Sequence, residues 1–128
     1  MTTYDVLVSV RDALAKVADV KTCKIGMEHD ITPADYPLVR IVPSVLRDGV
    51  PRGVARECEA LIYFSLNVHE FEDGLEAVYA KMLEFEQQLL AAARAATAVA
   101  SVVLIETLLD QDENEAFKTM AMKVKIVG

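Results

Sequence analysis

The sequence predicts an α+β protein, a mostly antiparallel sheet of about five strands with two helices packed on one face. Three observations carry this. Apolar and polar residues alternate through residues 59–69, the period of a strand with one apolar face. Two separate stretches, 3–18 and 73–96, repeat apolar residues at steps of three and four, the period of an amphipathic helix. Two more β-like segments follow the second helix, giving the order α-β-β-β-α-β-β.

In the first helix Val6, Leu7, Val10, Ala13, Leu14 and Val17 form the apolar stripe, with Asp5, Arg11, Asp12 and Lys16 between them. KTCKIG is a short strand ended by Gly26, and MEHDITPADYP, with two prolines and three acids, reads as a connection. Pro37 opens a strand LVRIVP, which Pro43 closes or places at an edge, because proline cannot donate to a ladder. Residues 46–57, LRDGVPRGVARE, hold two glycines, a proline and three arginines without a period, and are expected to be a long loop.

In the next strand Ala60, Ile62, Phe64, Leu66 and Val68 face one way, while Leu61 and Tyr63 leave the other face only partly polar. At Asp73 the period becomes helical through Leu75, Val78, Tyr79, Met82, Phe85, Leu89 and Leu90. Asp73 with Glu76 three residues on has the layout of an N-cap, and the helix should cover about 20 residues, on the order of 30 Å. SVVLIETLL is apolar at nearly every position, as in a strand covered on both sides or lying at a subunit contact. DQDENE is a turn. KTMAMKVKIV alternates again, Met120, Met122, Val124 and Ile126 inward and Thr119, Lys123 and Lys125 outward.

A length of 128 residues and 53% hydrophobic content suit one domain with a continuous core over 1–128. The net charge of −7 disfavours a non-specific binder of nucleic acid or of an anionic membrane, since phosphate surfaces recruit Lys and Arg, and no specific nucleic-acid recognition is expected. The charge is uneven: residues 1–56 carry +1 and residues 57–128 carry −8. Cys23 and Cys58 are too few and too far apart for a zinc cluster or disulfide framework, and both are expected to be reduced core-type residues. Charges within MTTYDVLVSVRDAL interrupt any signal-peptide core, so a soluble protein of the cytoplasm is expected.

Candidate sites are few. His69 stands beside Glu70, Glu72 and Asp73, but strand alternation sends His69 and Glu70 to opposite faces, His29 is distant in sequence, and acids suit the start of a helix. The reading is a strand-to-helix handover. Asp110, Asp112 and Asn114 resemble the first ligands of a calcium loop, yet Glu115 stands where glycine must turn and Ala121 where a bidentate Glu is required. No nucleophile elbow or phosphate loop occurs, so neither an enzyme nor a cofactor nor a metal is expected. Arg47, Arg52 and Arg56 are the strongest candidates, because three guanidinium groups on one segment can bind carboxylates bidentately.

The layout as a whole resembles the tail-terminator (tail-completion) proteins of long-tailed bacteriophages. The resemblance rests on the N-terminal helix, ITPADYPLVRIVPS with its Tyr-Pro entry into a strand, the segment to Glu57, the alternating strand ending NVHEFE, and the helix beginning DGLEAVYAKML. It implies a homo-oligomeric ring, most often a hexamer, that stops tail-tube polymerisation in the virion tail and then meets the head connector. Assembly would occur in the host cytoplasm. Under this resemblance Arg47, Arg52 and Arg56 engage the tail-tube protein or face the lumen, and Asp110, Asp112, Glu113 and Glu115 lie on an exposed rim or subunit contact. Another neck component, such as a head-closure or connector protein, and a small-ligand-binding α+β domain are the alternatives.

Overall fold

A computed structural model describes residues 2–26, 33–48, 56–67, 74–109 and 117–128. The elements are α1 (Thr3–Ala15), β1 (Thr22–Ile25), β2 (Leu38–Asp48), β3 (Arg56–Asn67), α2 (Leu75–Arg94), β4 (Ser101–Leu108) and β5 (Phe117–Val127), with a 3-10 turn at Pro33–Asp35. This is the α+β order read from the sequence. The five strands form one sheet in the order β1-β2-β3-β5-β4, antiparallel except for the β1·β2 pair.

Helix α1 starts where Thr2 and Asp5 satisfy each other's backbone donors. Asp5 N donates to Thr2 Oγ1 at 3.2 Å and Thr2 N donates to Asp5 Oδ2 at 2.8 Å, a capping box. The Thr2 backbone bond, then its hydroxyl, holds the Asp5 carboxyl below the usual carboxylate range. The helix ends at Ala15 rather than near residue 18, and Asp19 at φ 75° turns the chain toward β1.

Helix α2 departs from expectation at its start. Its N-cap is Gly74, at φ 89° and without a side-chain cap bond, instead of Asp73, which lies outside the described residues. Glycine reaches that left-handed backbone without a Cβ clash, so the entry angle is set by the backbone. Lys81 Nζ, 2.8 Å from Asp19 Oδ2, ties α2 to the turn after α1.

The expected loop at 46–57 is strand at both of its ends. β2 continues through Pro43 to Asp48 and β3 begins at Arg56, with Arg47 registered on Glu57 and Asp48 on Arg56; residues 49–55 lie outside the described residues. Pro43 is tolerated for two reasons. β1 pairs with β2 only over residues 38–41, so Pro43 meets no neighbour on its outer side among the described residues, and the register shifts between Pro43 and Val45 to absorb the break. A second shift lies between Leu104 and Glu106 of β4.

Both helices pack on one face of the sheet. Val6, Val10 and Leu14 of α1 and Val78, Met82, Phe85 and Leu89 of α2 join Val39, Ile41, Ala60, Ile62, Phe64, Met120, Met122, Val124 and Ile126 in one core. Phe64 and Phe85 meet with ring centroids 5.9 Å apart and tilted 39°. The alternation in β3 and β5 thus marks the buried face as the sequence indicates. No helix among the described residues is long and apolar enough to cross a membrane.

Candidate functional site

The helix-free face divides into two ends. At one end Leu38, Arg40, Ser65 and Ala121 are buried, and Ser65 and Thr119 share a hydroxyl hydrogen bond of 2.8 Å. Arg40 is only 2% exposed although it sits in the middle of LVRIV; its Nη1 donates to the Val39 carbonyl at 3.3 Å. Reasoning from periodicity passed over it. The available signal was a guanidinium enclosed by apolar neighbours, a residue type that is buried only when its charge is met.

At the other end, cross-strand charges alternate. Arg47 Nη2 stands 3.3 Å from Glu59 Oε2, Lys125 Nζ stands 3.8 Å from Glu57 Oε1, and Glu106 is registered on Lys123. Val45 and Val103, each well exposed, lie in the same row as Glu59 and Lys125. Such partly exposed pairs fix side-chain directions more than they stabilise, at about 0.2–1 kcal/mol each.

Beside this end, between the start of α1 and the shifted part of β2, lies a cleft of about 310 Å³. Tyr4 and Leu7, Pro43, Ser44 and Leu46, and Cys58 line it. The Ser44 hydroxyl donates to the Glu59 carbonyl at 3.0 Å and holds the irregular turn of β2 in place.

The predicted site residues are thus only partly gathered. Arg47 lies on β2 and points to the helix-free face, with its side chain 50% exposed. Arg56 opens β3 one residue from Glu57, so alternation sends it to the opposite face, where it is exposed. The structure therefore does not bring these two arginines onto one surface. Arg52, His29, His69, and the acids Asp110, Asp112, Glu113 and Glu115 lie outside the described residues.

Strand β4 lies at the sheet edge and has only one face covered, so the alternative of coverage on both sides that SVVLIETLL allowed does not hold among the described residues. Val102 enters the core, but Val103 is 47% and Ile105 46% exposed, and Leu109 just beyond is similarly open. The buried hydroxyl of Thr107 on this strand has no hydrogen-bond partner among the described residues.

Neither thiol is set for nucleophilic work at neutral pH. Burial pushes Cys23 up to about 11 despite the opposing pull of Arg40, and burial also raises Cys58. No three His, Cys, Asp or Glu among the described residues converge to hold a metal ion. What the surface offers chemically is an apolar strand edge and a charge-striped sheet face. The sequence matches no protein-family model, and comparison with curated proteins finds no match.

Proposed function

We propose that the chain is a structural virion protein that caps a phage tail tube at its head-proximal end, ends tube polymerisation and allows head-tail joining. One observation carries the reading: β4, an eight-residue strand with Val103 and Ile105 exposed, forms an edge of the sheet with no strand on its outer side among the described residues. Proteins that work alone usually shorten, charge or cover such an edge, because its unpaired N–H and C=O groups template pairing with another chain. A chain that works within a closed ring keeps it.

Capping further requires a ring whose two sides differ, one fitting the last tube ring and the other refusing a further tube subunit. The unequal charge of residues 1–56 and 57–128 is consistent with that asymmetry. In this reading the partners are copies of the chain in a hexameric ring, the tail-tube protein and the head connector. The arginine-bearing segment with Arg52 and Arg56 engages the tube, and Asp110, Asp112, Glu113 and Glu115 occupy the rim or a subunit contact. The work is done by association alone, without bond-making chemistry.

The test is reconstitution. Light scattering at rising protein concentration, with and without magnesium, is expected to give a ring-sized species, and the purified ring is expected to halt growth of tail tubes and permit joining to heads. Reversing Arg52 and Arg56 to Glu together should suppress joining while leaving the ring intact. A protein that stays monomeric under every condition, or that leaves tube growth unchanged, overturns the proposal.

A further inference from the structure

The two outer strands of the sheet are guarded very differently. β1 is four residues long, and its exposed Lys24, together with Lys21 just before it, discourages strand addition. β4 is twice as long, and apart from the Glu106 charge and the register shift beside it, its exposed Val103 and Ile105 are apolar. On the opposite side of the sheet, β1 covers β2 only at residues 38–41, so along residues 42–48 β2 pairs with no strand on its outer side among the described residues. That second edge is also apolar, with Val45 and Leu46 exposed.

Chain direction decides how these edges combine. β2 is antiparallel to β3, β3 to β5 and β5 to β4, so β2 and β4 run in opposite directions. Rotating a second copy about a ring axis, without turning it over, therefore sets its β2 antiparallel to the first copy's β4, with both helical layers on the same side. The end of β1 blocks residues 38–41 and confines the incoming strand to 42–48.

The charges agree with this placement. Arg47 on the β2 edge and Glu106 on the β4 edge are both exposed and both lie on the helix-free face, as their registers with Glu57 and Lys123 require. A register that sets Glu106 opposite or diagonal to Arg47 also lays Leu108 or Val103 beside Val45, so one pairing satisfies both charge and apolar contact. An isologous β4·β4 pairing would leave Arg47 and the β2 edge unused.

We infer that copies of this chain join head to tail by adding the β4 edge of one to the 42–48 edge of β2 in the next, with Glu106 and Arg47 paired across the contact. This rests on the ring of the proposed function and assigns Arg47 to the subunit contact, leaving the other arginines for the tube.

Sedimentation velocity on Arg47→Glu, Glu106→Arg, their equimolar mixture and the double variant tests it. Each single reversal places like charges across every contact and should raise the assembly concentration at least about tenfold. Mixing the two singles restores opposite charges at every contact in an alternating ring, and the double variant restores them within one chain, so both should assemble as the original does. Rescue by mixing requires two folded chains, which separates a broken contact from a broken fold. Rings that persist in both single variants, or that fail only with Glu106→Arg and are not rescued by mixing, overturn the strand pairing while leaving the ring intact. An original protein that never assembles overturns the ring and the pairing together.

Discussion

The two faces of β3 show how differently one strand can be used. On the helix side Cys58, Ala60, Ile62, Phe64 and Leu66 are all buried against α1 and α2. On the other side Glu57, Glu59, Leu61 and Tyr63 are half-buried, and only Ser65 is buried. Nearly all apolar burial therefore lies on one side, and the other is held by neighbouring strands and charge pairs. Stability comes from the helix-covered face, while the helix-free face and the strand edges are open to contact.

Substitutions on neighbouring positions can break that distinction. Phe64→Ala removes a buried ring packed on Phe85 and should lower the unfolding free energy by about 3–5 kcal/mol in urea titration. Leu61→Ala, three positions away on the other face, should cost only about 1–1.5 kcal/mol, the transfer value of a partly exposed side chain. Equal losses at the two positions would show that the faces share the burden. On β4, Thr107→Val should raise stability by roughly 1 kcal/mol, because it deletes a hydroxyl desolvated without a partner among the described residues. A loss there would reveal a hydrogen bond to the Thr107 hydroxyl. Lys125→Ala should change stability by no more than about 0.5 kcal/mol, as expected for a half-exposed ion pair.

The smallest effects belong to the helix ends. Asp5 has a lowered folded pKa, so its contribution is present above the ordinary carboxylate value and is lost as pH falls through the depressed one. Lys81 is raised chiefly by its hydrogen bond to Asp19, so its contribution is complete below the ordinary lysine value and is lost as pH rises through the folded one. Asp5→Asn should flatten the acid limb of a stability profile and Lys81→Met the alkaline limb, with neither touching the sheet.

What was legible in the sequence follows from these forces. Ile62, Phe64, Met120 and Val124 could be placed inward because a single burial boundary imposes period two on β3 and β5. The β2 extension was hidden because Pro43 and the arginines break propensity, whereas the ladder to β3 continues past a one-residue irregularity that no local signal announces. Asp73 looked like a cap because side-chain chemistry was weighed, while Gly74 acts through backbone freedom. Arg40 was missed for a related reason: its burial depends on what surrounds it in space and leaves no periodic trace. Of the candidate site, Arg47 and the apolar β4 segment were visible as residues, but their places at two open edges emerge only from the strand order.

The β1-β2-β3-β5-β4 order also bears on how the chain is made. β3 emerges from the ribosome, and can find β2, well before β5 is synthesised, since α2 and β4 lie between them in sequence. During that interval the central strand of the sheet, with its apolar row Ala60, Ile62, Phe64 and Leu66, has one side unsatisfied, and α2 has little sheet to settle upon. Translation pauses or crowding of unfinished chains in this window are therefore expected to drive aggregation before any finished molecule can assemble.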